Sequence, residues 1–167
     1  DRGETIRATT SFLMADSTTP DGDYIKPQTN PTNTDCWNGK AYTPLNQLTP
    51  GRTKYGTNNN VRIFRYADVL LMNAEAKIKN GKSGDAPFNE VRRRAQMPEL
   101  TNVTFEQVID ERRMELVCEW GERYNDLVRT GLAKTELKGW SEDKALLPLP
   151  FNQYTQIPDL LKEPKDE

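Results

Sequence analysis

Four aromatic side chains lie among polar residues and outside any helical repeat: Tyr24, Trp37, Tyr42 and Trp140. An aromatic ring combines a broad apolar face with a polar edge. Such a ring can stack on the C–H face of a sugar while neighbouring amides and hydroxyls bind the sugar hydroxyl groups. The structural alternative is that each ring anchors a long loop on the body of the protein. Both interpretations stay open from the residues alone.

A second candidate for chemistry is the charged run over residues 110–129. It contains carboxylates spaced four residues apart, namely Glu111–Glu115, Glu115–Glu119 and Glu122–Asp126. A glycosidase needs two carboxylates facing each other across a cleft, whereas this spacing places them side by side on one helix. The pattern therefore favours salt bridges along the helix, and a hydrolase using a carboxylate pair is the less favoured interpretation.

The amino-acid composition excludes several classes of function. The chain of 167 residues has no histidine, which excludes Ser-His-Asp and Cys-His triads within it. Its 23 basic and 25 acidic residues give a net charge of -2, so it has no electrostatic footprint for nucleic acid. The basic run Arg92–Arg94 would fan around a helix axis rather than form one patch. We predict that the chain is not an enzyme and does not bind nucleic acid.

No metal or cofactor site is predicted either. Asp21-Gly22-Asp23 lacks the remaining ligands of a calcium loop and is predicted to be a turn. Cys36 lies in a polar loop, whereas Cys118 is placed on a helix face as a small buried residue. Their contexts do not fit a zinc site, and free thiols are favoured over a disulfide.

The element that must position these residues is the apolar run 65–77, which is predicted to belong to a helix over residues 61–80. Its apolar face is predicted at Ala67, Leu70, Leu71, Ala74 and Ile78, widened by Tyr66, Val69 and Met72. The small side chains of Ala67, Ala74 and Ala76 would let other helices approach closely. Gly81 suits the C-terminal cap. A second helix follows, with Asp85 as its N-cap and Pro98 at its end. Together they predict a helical hairpin of the tetratricopeptide type.

A third helix is predicted from the capping box at Thr104–Gln107 to Gly131, with a permitted break at Gly121. Residues 1–60 are rich in Thr, Asn, Pro and Gly and predict loops, with one short extended segment at 6–14. Residues 132–167 are predicted to be irregular. The predicted fold is thus mainly α, a single region over 1–167 with a helical body at 61–131 between two loop-rich segments.

Several stretches resemble the SusD/RagB family in order and spacing. They are Arg65-Tyr-Ala-Asp-Val-Leu-Leu-Met-Asn-Ala-Glu-Ala76, Phe88-Asn-Glu-Val-Arg-Arg-Arg-Ala95, Glu111-Arg-Arg-Met-Glu-Leu116, Glu119-Trp-Gly-Glu-Arg-Tyr-Asn-Asp-Leu-Val-Arg-Thr-Gly131 and Leu147-Pro-Leu-Pro150. The resemblance is strong over residues 54–150 and looser before them. It identifies the chain as a C-terminal portion of such a protein.

The resemblance implies a non-catalytic lipoprotein on the outer face of the bacterial outer membrane. It would capture an oligosaccharide or polysaccharide as a lid over a SusC-like TonB-dependent transporter, anchored through an N-terminal part absent from this chain. Ligand residues in the family usually lie in variable loops, so Trp37, Tyr42, Tyr24 and Trp140 remain the predicted ligand contacts. The alternatives are a peptide ligand, or a structural segment that docks a partner while the missing part holds the ligand.

Overall fold

The helices and short strands below come from a computed structural model that describes residues 3–27, 35–49, 57, 59–120, 122–146 and 150–156. The predicted mainly helical fold is confirmed. The chain divides into two compact units, residues 1–126 and 127–167, and each is described by itself. The organisation as a single region stays a prediction. Tyr55 and the segment 147–149 lie outside the described residues.

The described residues form seven helices and four short strands. The helices are α1 (Thr5–Ser11), α2 (Tyr66–Lys79), α3 (Asp85–Arg94), α4 (Phe105–Glu115), α5 (Glu122–Arg129), α6 (Ala133–Glu136) and α7 (Phe151–Gln156). The strands are β1 (Phe12–Met14), β2 (Ser17–Thr18), β3 (Tyr24–Ile25) and β4 (Cys36–Asn38). Antiparallel pairs join β1 to β4 and β2 to β3. No helix among the described residues is long and apolar enough to cross a membrane.

The prediction of an extended segment over residues 6–14 is wrong in its first part. Residues 5–11 are helical, and only Phe12–Met14 form a strand. Arg7 and Ser11 lie one helical turn apart and are both buried, so tertiary contact outweighs the weak alternation of the sequence. The threonine hydroxyls of this helix also bond back to it, as in the 2.8 Å bond from Thr10 Oγ1 to Ile6 O.

The core of the first unit is built where α2 packs on α3 and α4. Buried apolar side chains from the three helices and the loop before α4 form one cluster: Ala67, Leu70, Leu71, Ala74, Phe88, Val91, Val103 and Val108. This confirms the face predicted for α2, and Ile78 is partly buried against the cluster. Ala76, predicted to allow close approach of another helix, is instead exposed. The predicted widening of that face is wrong, because Tyr66, Val69 and Met72 are 68%, 49% and 42% exposed. At 3.6 residues per turn they project from the other side of the helix.

The hairpin turn between α2 and α3 follows the predicted cap. Gly81 has a φ of 68°, and the amide of Lys82 donates to Lys77 O at 2.8 Å, as a Schellman cap requires. Gly84 permits the close approach of the two helices, since a Cβ there would lie 2.9 Å from Ala74 O. The helix α2 begins at Tyr66 and not at residue 61.

Two helix-end predictions need correction. Asp85 is the first residue of α3 rather than its N-cap, and its carboxylate accepts bonds from the amides of Asn102 and Val103 at 3.0 and 2.9 Å. These backbone bonds lower the pKa of Asp85. The helix α3 ends before Pro98, because Gln96 already adopts a left-handed φ of 56°.

The capping box at the start of α4 is confirmed, with reciprocal bonds between Thr104 and Gln107. The predicted length is wrong, since α4 ends at Glu115 and α5 begins at Glu122. Cys118 lies in the intervening turn with a left-handed φ of 64° and not on a helix face. Cys36 and Cys118 do not form a disulfide with each other.

One buried arginine joins the start of α2 to α4 and α5. The guanidinium of Arg112 donates to Asp68 Oδ1 at 2.6 Å and to Asp126 Oδ2 at 2.8 Å, and all three residues are buried. Burial alone would lower the pKa of Arg112, but its bonds with Asp126 and Asp68 raise the pKa above its ordinary value. The arginine therefore stays charged and serves as a shared cation for both aspartates.

Replacing Arg112 by leucine leaves two buried carboxylates without their cation. We expect Arg112→Leu to lower the free energy of unfolding by about 3–5 kcal/mol, the usual cost of breaking a buried ion pair. The exposed neighbour Arg113 offers a matched control, and Arg113→Leu should change stability by no more than about 0.5 kcal/mol. Urea denaturation measures both, and equal midpoints for the two variants would contradict the assignment.

Candidate functional site

Three of the four predicted ligand residues line one cavity. A cavity of about 670 Å³ is lined by Tyr24, Trp37 and Tyr42. We call it the aromatic cleft. Its remaining lining residues are Leu13, Ile25, Lys26, Pro27, Asn38 and Ala41. The structure thus brings together side chains that are up to 18 residues apart in the chain. That these side chains bind a ligand stays a prediction.

The two small sheets position the aromatic rings. Trp37 lies in the middle of β4 directly opposite Leu13 of β1, and it is half-buried. Tyr24 begins β3, pairs with Thr18 and remains 52% exposed. Because strand residues next to each other point to opposite faces, the indole of Trp37 and the amide of Asn38 are directed to different sides of β4.

Two carboxylates hold the tyrosine rings by their hydroxyl groups. The Tyr24 hydroxyl donates to Asp16 Oδ1 at 2.6 Å, and the hydrogen bond to this carboxylate raises the pKa of Tyr24. The Tyr42 hydroxyl donates to Asp23, whose Oδ2 also accepts from the amide of Leu45 at 2.8 Å. Burial and the bond to Asp23 raise the pKa of Tyr42. Both phenols therefore stay neutral at physiological pH, and their ring faces are left for contact.

Asn38, which follows Trp37, is used by the protein itself. Its Oδ1 accepts from the amides of Lys40 and Ala41 at 2.9 and 3.3 Å, and its Nδ2 donates to Cys118 O at 2.7 Å. The side chain caps the turn that follows β4 and ties it to the loop after α4. The sequence suggested amides beside the aromatic rings as sugar contacts, whereas this one chiefly fixes the backbone.

The Gly39–Ala41 turn is attached to the helical body by one lysine. Lys40 Nζ donates to Glu115 O at 2.6 Å and to Glu119 Oε1 at 2.7 Å. Gly39 allows the turn to lie against α1, since a Cβ at that position would be 2.3 Å from Thr10 O. Neither role was predicted. The two glutamates bound by Lys40 lie more than 70 residues away in the chain, so no local sequence pattern predicts these bonds.

Glu119 is the shared anion in this attachment. It also accepts from Arg65 Nε at 2.8 Å and from Arg65 Nη2 at 2.7 Å. Burial alone would raise the pKa of Glu119, but the bonds from Arg65 and Lys40 outweigh burial and hold the pKa below its ordinary value of 4.5. The negative charge of Glu119 thus secures the turn that carries one wall of the aromatic cleft.

The carboxylates Glu111 and Glu115 form part of an ion-pair network rather than a reactive pair. Both are 1% exposed. Glu111 accepts from Arg7 at 2.6 Å and from Arg92 at 2.7 Å. Glu115 accepts from guanidinium groups of Arg65 at 2.9 Å, Arg94 at 2.5 Å and Arg7 at 3.5 Å. With every carboxylate oxygen bound to a cation, neither group faces a ligand as an acid or base.

Trp140 is placed in the second unit, residues 127–167. It is half-buried, and its amide donates to Leu137 O at 3.2 Å. Its indole Nε1 is buried and has no hydrogen-bond partner among the described residues. Its role as a ligand contact stays a prediction. Nowhere in the described ranges do three or more His, Cys, Asp or Glu side chains form a group able to hold a metal ion.

A family model and curated relatives match the chain. The model of the SusD family matches residues 5–159. The SusD-like protein P38 of Formosa agariphila is 33% identical over 119 residues, which cover 60% of this chain and 24% of that protein. The starch-binding protein SusD of Bacteroides thetaiotaomicron is 36% identical over 81 residues, which cover 48% of this chain and 14% of that protein. The chain therefore spans a quarter or less of these relatives.

Solved structures share the fold. The surface glycan-binding protein A from Bacteroides uniformis superposes with a TM-score of 0.70 at 28% identity, over 93% of this chain and 37% of that one. The surface glycan-binding protein A from Bacteroides thetaiotaomicron in complex with laminarihexaose gives a TM-score of 0.66 at 31% identity, over 81% of this chain and 32% of that one.

Since the pKa of Glu119 is lower in the folded chain than its ordinary value, the charge of Glu119 stabilises the fold at pH values above 4.5. This contribution is lost as pH falls through the folded-state pKa. We expect Glu119→Gln to lower the urea midpoint at about pH 7, and the difference from the wild type to shrink as the pH falls below 4.5 and through the folded-state pKa of Glu119.

Glu99→Gln is the matched control, because Glu99 forms an exposed pair with Arg93 at 2.8 Å. An exposed pair contributes about 0–1 kcal/mol, so this variant should follow the wild type across the same pH range. A destabilisation by Glu119→Gln that did not depend on pH would rule out the charge of Glu119 as its cause.

Proposed function

The chain belongs to the SusD family, and from this premise we propose that it forms part of a non-catalytic protein that binds nutrient glycans at the bacterial cell surface. The observation that carries the proposal is the aromatic cleft, in which Tyr24, Trp37 and Tyr42 line one cavity. A sugar ring presents one face of C–H groups and a rim of hydroxyls. Aromatic rings held at fixed positions are complementary to that face.

The names of the related proteins support a glycan as ligand. One relative is called a starch-binding protein, and one solved neighbour is a surface glycan-binding protein in complex with laminarihexaose. Both names refer to much longer chains. Glycan binding by this chain rests on the family, the names and the cleft taken together.

The polar groups of the cleft suit an uncharged or weakly polar ligand. The tyrosine hydroxyls are already bonded to Asp16 and Asp23, so they contribute rings rather than hydrogen bonds. Lys26 lines the same cavity and supplies a donor for sugar hydroxyls. Because few polar groups are free, stacking should supply most of the affinity.

Cellular placement follows from the family and is part of the proposal. The protein would lie on the outer face of the outer membrane, lipid-anchored through a part of the protein outside this chain. It would pass its ligand to a SusC-like TonB-dependent transporter. Copurification of the full-length protein with such a transporter from detergent-solubilised outer membranes tests this placement.

A second candidate function is docking of a protein partner, with the ligand held elsewhere in a longer protein. It is favoured by apolar side chains before and along α2 that are 42–72% exposed: Val61, Ile63, Phe64, Tyr66, Val69 and Met72. A surface of this kind is typical of protein interfaces. This candidate predicts that no glycan or peptide binds the chain on its own.

Removal of the indole of Trp37 tests the aromatic cleft. We expect Trp37→Ala to weaken the binding of a neutral oligosaccharide by about tenfold or more, since one stacked ring accounts for on the order of 1–2 kcal/mol. Isothermal titration against laminarihexaose, maltoheptaose and a panel of other neutral oligosaccharides measures the effect.

Phe64→Ala is the matched control, because Phe64 is 72% exposed and lines neither described cavity. It should leave the affinity unchanged. If some oligosaccharide bound and Trp37→Ala bound it as tightly as the wild type does, the aromatic cleft would not be its site.

A further inference from the structure

A second cavity adjoins the aromatic cleft on the other side of the Gly39–Ala41 turn. Its volume is about 640 Å³. Asn38 and Ala41 line both cavities, so the turn forms their shared wall. Residues from the turn, from α1 and α3, from the segment before α2 and from the loop after α4 surround it. We call it the cationic cavity, because more basic than acidic side chains line it.

Basic side chains outnumber acidic ones in its lining. Among the described lining residues, five are Arg or Lys and two are Glu. The network above pairs four of the five, Arg7, Lys40, Arg65 and Arg94, with Glu111, Glu115 or Glu119. The two cations that a ligand can reach from solvent are Arg62 and Arg94.

Arg62 and Arg94 are both accessible from solvent. Arg62 is exposed, and its side chain makes no ion pair with any described residue. The side chain of Arg94 is 59% exposed. It contacts Glu115 Oε1 at 2.5 Å, but the same oxygen also accepts from Arg65 at 2.9 Å. One carboxylate oxygen shared by two guanidinium groups leaves positive charge unneutralised at the cavity.

An aromatic ring lies beside these cations. Trp120 lines the cavity and is 61% exposed, and its indole Nε1 donates to the backbone carbonyl of Arg62 at 2.6 Å. This bond orients the ring while leaving its face accessible. The third helix predicted from Thr104 to Gly131 would have contained Trp120, but the end of α4 at Glu115 removes it from that helix.

A buried hydroxyl in the lining also lacks a partner. Ser11 lines the cavity, is 0% exposed, and its Oγ has no hydrogen-bond partner among the described residues. A buried hydroxyl without a hydrogen bond is unfavourable, because it has lost its bonds to water. A polar ligand atom or a water held under a ligand would satisfy it.

We propose that the cationic cavity binds an acidic sugar residue. The sugar ring stacks on Trp120, and its carboxylate or sulfate group pairs with Arg94 and Arg62. A neutral sugar would leave Arg62 without a counter-charge among the described residues and Arg94 with only a shared one, whereas an anionic group gains charge-assisted hydrogen bonds with both. The inference rests on the proposed glycan binding for its class of ligand, but it uses residues that do not line the aromatic cleft.

The test is isothermal titration with an oligogalacturonate and with a sulfated galactan oligomer, which separate the carboxylate from the sulfate as the anionic group. We expect Arg62→Gln and Arg94→Gln each to weaken binding of the preferred oligomer about five- to tenfold. Arg93→Gln is the matched control, since Arg93 precedes Arg94 in the chain but pairs with Glu99 away from the cavity. It should have no effect.

Salt and cleft variants separate this proposal from the proposed function. Raising the salt concentration should weaken acidic oligomers and leave neutral ones unchanged. Trp120→Ala should weaken only acidic oligomers, whereas Trp37→Ala should weaken the neutral ones. The acidic-sugar site would be overturned if neither acidic oligomer bound. It would also be overturned if Arg62→Gln, Arg94→Gln and added salt all left the binding unchanged. The binding of laminarihexaose tests the proposed function independently of either result.

Discussion

Two buried carboxylates one turn apart on α4, Glu111 and Glu115, constrain the first unit. Like charges at this spacing lie about 6 Å apart and repel each other, and burial increases the cost. The pair is tolerated because guanidinium groups meet it from separate parts of the chain, with Arg7 on α1 and Arg92 on α3 bonded to Glu111. Every such bond fixes one more element against α4, so the network acts as a cross-link between loops and helices.

The same network positions the wall that the two cavities share. The carbonyl of Glu115 and the carboxylate of Glu119 hold Lys40, and Lys40 holds the Gly39–Ala41 turn. That turn is the wall between the aromatic cleft and the cationic cavity. Lys40, Glu115 and Glu119 do not themselves line the aromatic cleft. Their contribution there is positional, because they fix the strand that presents Trp37.

The sequence predicted features that depend on neighbours along the chain. The capping box of Thr104 and Gln107, the Gly81 cap and the buried stripe of α2 all arise within a few residues. The aromatic residues of the cleft were found because they interrupt a polar segment. The carboxylate spacing on α4 was also recognised, and the structural role predicted for these charges agrees with the observed ion pairs. The partners of Glu111 and Glu115 nevertheless lie on other elements, whereas salt bridges along the helix were predicted.

What the sequence did not reveal depends on distant partners. One of the two cations bound to Glu111 is Arg7, 104 residues away, and no spacing rule relates the two residues. The break after Glu115 was also missed, because a left-handed Cys118 is not favoured by its residue type. Because of that break, Trp120 lies at the edge of a cavity and not within the predicted helix. The periodicity of the sequence did not predict this position.

The buried ion pairs stabilise the fold, whereas the exposed arginines at the cavity edge are the groups proposed to bind ligand. Inside the network each anion has cations at hydrogen-bond distance, so removing one member exposes the others to an unfavourable environment. Arg62 and the exposed part of Arg94 lie at the edge, where solvent screens them and the fold depends on them little. Ligand charge preference is therefore adjustable at the rim of the cationic cavity without loss of the buried pairs.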